Sequence, residues 1–226
     1  MGKGKLERFV ENATFPHVVQ PSFAQLQADA FPLKGKWNVG HFGREAPIVL
    51  ELGCGKGEYT TGLAQLRPDR NYIGVDIKGA RIWRGAKTAL GSELGNVCFL
   101  RTHIDQITQC FGPAEVEEIW LTFSDPQVAK ARKRLTSPLF ISRYKEIMIP
   151  GGQVHLKTDS ELLYKYTLGQ VAQHGLPLLE HSADVYGDLV PRSSPVDQEM
   201  LNICTFYEQM WLAEGKRIHY VRFAIS

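Results

Sequence analysis

The chain has 226 residues, 43% of them hydrophobic and 22% charged, with a formal net charge of +2. That length suffices for one full α/β domain, and the composition excludes a disordered chain. No apolar run approaches the ~20 residues of a membrane span, and the basic start Met1-Gly2-Lys3-Gly4-Lys5 lacks the apolar core of a secretory signal, so a cytoplasmic protein is expected.

In chain order, residues 1–46 carry weak periodicity and Pro16, Pro21 and Pro32, and read as an N-terminal extension with a short helix near 22–30. The domain proper is expected over 47–226. Strands are predicted at 47–52, 71–76, 96–101, 116–123, 151–157, 178–184 and 218–225, and helices at 57–66, 79–91, 138–148, 160–174 and 199–214. This alternation predicts an α/β fold: a seven-stranded, mainly parallel sheet with helices on both faces. The segment 182–196, with Gly187, Pro191 and Pro195, is expected to be an exposed, mobile loop.

The first predicted strand runs into Glu51-Leu52-Gly53-Cys54-Gly55-Lys56-Gly57. A strand, a glycine-rich turn and a helix open many nucleotide-cofactor sites, because glycine admits positive φ and close ligand approach. The dinucleotide fingerprint G-x-G-x-x-G fails here, since its last position after Gly53 and Gly55 falls on Glu58. A carboxylate at the strand end suits the cationic amine of a methionine moiety and would repel a pyrophosphate. The turn resembles that of an S-adenosylmethionine (SAM) methyltransferase with a Rossmann-like fold. The next strand ends in Asp76, 25 positions after Glu51, where a carboxylate meets the ribose hydroxyls of an adenosine. That feature is shared by NAD and SAM sites.

The fourth strand leads into Phe123-Ser124-Asp125-Pro126, followed by the basic stretch Lys130-Ala131-Arg132-Lys133-Arg134. Ligands in open α/β sheets bind beyond the carboxyl ends of the strands, so Asp125 falls on the same rim as Glu51 and Asp76. A carboxylate followed by cations suggests recognition of a base and then its phosphates. Further cations cluster at Lys3, Lys5 and Arg8 and at Lys216, Arg217, His219 and Arg222. The fifth strand ends in His155-Leu156-Lys157-Thr158-Asp159, and Thr205-Phe206-Tyr207-Glu208 lies in the last helix. The aromatics sit in apolar runs, as core residues do, without the pattern of a stacking platform. Cys54, Cys98, Cys110 and Cys204 are scattered and the histidines form no H-x-x-x-H pair, so reduced thiols and no metal are expected.

Taken in this order, the motifs resemble the bacterial tRNA (guanine-N7-)-methyltransferase family over Ile48 to Arg222. The carriers are Glu51 to Gly57, Asp76, Phe123 to Pro126 with Lys130 to Arg134, Thr158-Asp159, and Thr205 to Glu208 ahead of Gly215 to Ile218. Three departures stand out: Ser124 where the family has proline, Gln127 where it has an aromatic, and Ala129 where it has lysine. The resemblance implies methyl transfer from SAM to N7 of a tRNA guanine, position 46 of the variable loop. It implies SAM contacts from Glu51, Gly53, Gly55, Gly57, Asp76, His103, Ile104 and Asp125, and substrate contacts from Lys130, Asp159, Thr205, Phe206, Tyr207 and Glu208. Asp125 is the candidate catalytic residue, with Asp159 and Glu208 expected to join it in one carboxylate cluster around the guanine. A SAM enzyme acting on another RNA or a small molecule, an NAD-linked oxidoreductase, and a non-catalytic RNA-binding module remain rival readings. Monomer and homodimer are equally open.

Overall fold

The computed structural model describes residues 4–226. Helix α1 (Lys5–Asn12), strand β1 (Val18–Val19) and α2 (Phe23–Gln27) come first. The alternating part runs β2 (Ile48–Leu52), α3 (Glu58–Leu66), β3 (Asn71–Asp76), α4 (Gly79–Gly91), β4 (Val97–Arg101), α5 (Ile107–Cys110), β5 (Val116–Thr122) and α6 (Pro138–Ile147). It closes with β6 (Met148–Thr158), α7 (Glu161–Gln173), β7 (Leu178–Ser182), α8 (Val190–Arg192), α9 (Pro195–Leu201), α10 (Phe206–Ala213) and β8 (His219–Ala224).

The strands form one sheet in the order β1-β4-β3-β2-β5-β6-β8-β7, parallel except for β8, which runs antiparallel to β6 and β7. The chain builds outward from β2 to β4, then returns to lay β5 on the other side of β2. That reversal opens a crevice at the carboxyl ends of the central strands, where doubly wound sheets bind ligands.

Central strands covered on both faces read as continuous apolar runs, and Ile48-Val49-Leu50 is buried throughout. Alternate residues serve opposite faces. Leu50, Ile73, Leu121 and Leu156 pack with Phe140 and Ile141 of α6 on one side. Val49, Tyr72, Phe99 and Trp120 pack with Tyr59 and Leu63 of α3 and Ile82 of α4 on the other. The Phe99 ring fills a slot that two helices leave by having no side chain there. A Cβ on Gly57 would stand 2.5 Å from the ring, and one on Gly85 2.6 Å.

Besides helices α1 and α5, absent from the sequence reading, three features differ from it. An eighth strand is present: β1 pairs in parallel with β4, Val18 opposite Phe99, too short to register as periodicity. The helix expected over 199–214 is two, because Thr205 caps α10 and the chain breaks between Leu201 and Thr205. The expected 182–196 loop folds as a π-helical turn, Val185–Leu189, capped by the Asp184 carboxylate accepting from the Gly187 N–H at 2.9 Å. Val185 and Leu189 are buried there, a pattern too short for period analysis. Among the described residues no helix is long and apolar enough to cross a membrane.

Candidate functional site

All three motif glycines adopt left-handed backbone, with φ of +83° at Gly53, +56° at Gly55 and +69° at Gly57. L-residues with a Cβ avoid that region, so the spacing reflects three backbone requirements. The turn is clamped to the end of β3. The N–H groups of Gly53 and Cys54 donate to the Val75 carbonyl at 2.8 and 3.1 Å, and that of Gly55 to Asp76 Oδ2 at 3.0 Å. Asp76 Oδ1 accepts from the Lys78 N–H at 2.8 Å, which fixes the carboxylate at the lip of a cavity of about 500 Å³. Ile77, His103 and Ile104 line the same cavity, and His103 is exposed at the head of a short 3₁₀ turn. A fixed carboxylate beside a hollow of mixed lining, with Ile77, Ile104, Leu135 and Phe140 as its apolar part, fits an adenosine group.

Glu51 lies beneath this lip. Its buried carboxylate accepts from the N–H of Thr60 at 2.8 Å and from the hydroxyls of Thr60 and Thr122. It staples β2, α3 and β5 together below the glycine turn. Burial pushes its pKa up to about 7, against the pull of those hydrogen bonds. Both oxygens are therefore engaged internally, and the threonines that hold them gave no motif signal.

A second cavity of about 490 Å³ adjoins the first and shares Ile104, Gln127, Lys133 and Leu135 with it. Gly53, Asp125, Asp159 and Tyr207 line this one. Asp125 is exposed, and its Oδ1 accepts from the Gln127 N–H at 2.8 Å in an Asx turn. Phe123 and Gln127 bracket it at φ of +50° and +45°, uncommon for residues with side chains. Such positions cost of order 1–3 kcal/mol each and persist where surrounding structure over-determines them. Here the loop is held by the Phe123 N–H donating to the Lys157 carbonyl at 2.9 Å and by Arg134 Nε donating to the Pro126 carbonyl at 2.9 Å.

Arg134 is consequently not a free cation. It is buried, with its guanidinium 4.3 Å from the Tyr166 ring centroid. Arg132 and Lys133 are exposed, and Lys133 lines both cavities. Lys130, the cation chosen from sequence, is exposed on the loop but lines neither. The Ser124 hydroxyl, at the departure from the family pattern, is buried with no hydrogen-bond partner among the described residues.

The structure brings Asp125 and Asp159 to one cavity but takes Glu208 away from them. Glu208 is fully buried, 2.7 Å from Lys157 Nζ, and accepts from the Tyr186 hydroxyl at 2.7 Å. With Thr205 it also forms the capping box of α10, an arrangement that S/T-x-x-E predicts on local grounds. The three-carboxylate cluster is corrected to two. Lys157, overlooked in the sequence, is the counterpart: fully buried, it donates to the carbonyls of Leu201 at 2.6 Å and Ile203 at 3.2 Å. It thereby ties β6 to the break between α9 and α10. Phe206 and Tyr207, expected at the substrate, depart from the core pattern of the other aromatics at this break. Phe206 is 48% and Tyr207 42% exposed, with Lys56 Nζ 4.0 Å above the Phe206 ring.

Comparison with known proteins agrees with this geometry. A family described as "Putative methyltransferase" matches residues 45–221. The tRNA (guanine-N(7)-)-methyltransferase of Christiangramia forsetii is 50% identical, covering 99% of both chains. The enzyme of that name from Bacteroides fragilis is 47% identical over 100% of this chain and 87% of its own, and that from Bacillus subtilis 37% over 82% and 84%. Among solved structures, the 16S rRNA methyltransferase KamB aligns with a TM-score of 0.61 at 15% identity over 91% of this chain and 94% of its own. A SAM-dependent methyltransferase from Aquifex aeolicus gives 0.55 at 13% identity over the whole of both chains. Those two establish the fold, and the sequence relatives establish more: the chain belongs to the tRNA (guanine-N(7)-)-methyltransferase family.

Proposed function

We propose that the chain transfers a methyl group from SAM to N7 of a guanine in tRNA, giving 7-methylguanosine, with the variable-loop guanine at position 46 as target. The observation that carries this reading is the pair of adjoining cavities: one presents Asp76, the other Asp125 and Asp159 together with Gly53 of the glycine turn. SAM supplies an electrophilic methyl group on a sulfonium. Guanine N7 bears a lone pair and no proton, so the chain needs no strong base and contributes mainly position and field. Asp76 holds the ribose hydroxyls, with His103 and Ile104 beside the adenine. Asp125 faces the purine as it becomes cationic and stabilises that charge. Asp159 accepts from guanine N1–H and the 2-amino group. Lys130, Arg132 and Lys133 meet phosphates, and Phe206 and Tyr207 flank the entrance with Thr205 and Glu208 setting the helix that carries them. Those cations at the mouth favour a polyanionic substrate over a small neutral one.

Incubation with labelled SAM and unmodified tRNA, followed by nucleoside analysis, should yield labelled 7-methylguanosine. Label in any other nucleoside, or none, overturns the assignment. Asp76→Ala should weaken SAM binding by about 1–3 kcal/mol, as loss of a charged hydrogen-bonding partner does. Calorimetry showing unchanged affinity in a folded variant would remove Asp76 from the cofactor site.

A further inference from the structure

Two segments that border the cavities carry cations and no acid. Residues 78–91, spanning α4 and its cap, hold Lys78, Arg81, Arg84 and Lys87, and residues 126–134 hold Lys130, Arg132, Lys133 and Arg134. Each sums to +4 in a chain whose net charge is +2, so everything else sums to −6. The charge is concentrated at the site. Arg81 and Lys133 both line the acceptor cavity, yet they come from elements on opposite faces of the sheet. The cations of 126–134 are absorbed by the reading above; those of α4 are not.

Not all of α4's charge is free. Lys87 lies 3.6 Å from Glu11, and Arg81 sits 3.5 Å from the Tyr207 hydroxyl. Arg84 is different. Together with Arg8 of α1, which packs along α4, it stands over the Trp83 indole: the guanidinium carbons lie 5.9 and 5.0 Å from the ring centroid. Trp83 is itself fixed, its Nε1–H donating to Glu11 Oε2 at 2.7 Å. Arg8 Nε is buried and has no hydrogen-bond partner among the described residues. Guanidiniums held against an indole are pre-ordered and still present N–H edges to an oxyanion. Arg84 and Lys78 are exposed beside them.

We propose that Arg8, Lys78 and Arg84, ordered around Trp83, form a second phosphate-binding surface for the tRNA whose guanine enters the acceptor cavity. The RNA backbone then crosses the cavity mouth, from the 130–133 loop on one side to α4 and α1 on the other. This rests on the tRNA reading given above. The acids beside these cations are engaged, Glu11 by Trp83 and Lys87 and Glu7 by the Gly4 N–H, so the donors that remain fit phosphates rather than base edges and the surface adds affinity and register without sequence preference. Continuity with the cavity through Arg81 favours the same RNA over a separate acidic partner.

The test is Arg8→Gln/Arg84→Gln in the full chain, with filter binding of unmodified tRNA over a range of KCl concentrations. Each phosphate contact contributes about 0.7–0.9 to the slope of log affinity against log salt, so the slope should fall by about 1.4–1.8. Affinity near 0.1 M salt should drop about tenfold, with KM for tRNA rising and SAM affinity retained. Arg8→Lys/Arg84→Lys, which keeps the charge, should keep the slope. An unchanged slope in the glutamine variant overturns the proposal, as does an equal loss in the lysine variant, which would mark a packing role. Product analysis of the wild type on the same tRNA separates the two readings. Missing 7-methylguanosine indicts the substrate assignment; intact product with an unchanged slope indicts this surface alone.

Discussion

Asp125→Asn should bind SAM normally and transfer methyl about 10²–10³-fold more slowly, the size of effect seen when one preorganised electrostatic partner is lost. The substitution isolates charge from shape. Asp125 uses one oxygen as acceptor for the Gln127 N–H, and an asparagine carbonyl can take that hydrogen bond and preserve the turn. The bracketing conformations at Phe123 and Gln127 are held from behind by Arg134 and the Lys157 carbonyl, neither of which touches the Asp125 side chain. What disappears is the negative charge facing a purine that turns cationic. Single-turnover transfer with saturating SAM and tRNA removes binding and product release from the measurement. A wild-type rate there would make Asp125 a turn residue and leave the field to Asp159.

The parts of this site legible in sequence are those where one backbone or one element imposes the residue type. Gly53, Gly55 and Gly57 announce themselves because all three occupy left-handed backbone that other residues avoid. Asp76 and Asp125 are legible because a strand end in a doubly wound sheet delivers its next residues to the rim. The strands from β2 to β5 carry apolar stretches because both of their faces are covered. What stayed hidden depends on partners far apart in the chain. Glu51 reads as a strand-end acid, and only the fold brings Thr60 and Thr122 to it. Arg134 looked like its basic neighbours until Pro126 and Tyr166 enclosed it. Glu208 reads as a rim acid in sequence, and only the fold brings the distant Lys157 to it and closes the capping box with Thr205. The exposure of Phe206 and Tyr207 sits just past the interruption between α9 and α10 that Lys157 ties down, a second arrangement set by a partner far away in the chain.

Lys157→Met should destabilise the fold by about 3–5 kcal/mol, the range expected when one partner of a buried ion pair is removed. The ammonium is fully buried and 2.7 Å from Glu208, with carbonyls of Leu201 and Ile203 as further acceptors. Burial holds the Lys157 pKa below its ordinary value, and the Glu208 carboxylate offsets only part of that. Methionine has nearly the length of lysine, so the packing stays while the charge goes, and three oxygens lose their donor. Most of the loss should come from the stranded Glu208 charge rather than from the pair's own attraction. Lys157→Met/Glu208→Gln should therefore recover much of the stability, since the Tyr186 hydroxyl still has an acceptor at position 208. Urea unfolding followed by tryptophan fluorescence gives both numbers. A single-variant loss below about 1 kcal/mol would mean that the pair contributes little to stability, as exposed ion pairs do. If the double variant is no better than the single, the cost lies in the freed carbonyls of Leu201 and Ile203 and thus in the break between α9 and α10. Either way the methyl-transfer assay on the folded double variant reports on position: loosening that break releases Tyr207 from the cavity wall and should raise KM for tRNA while SAM affinity holds.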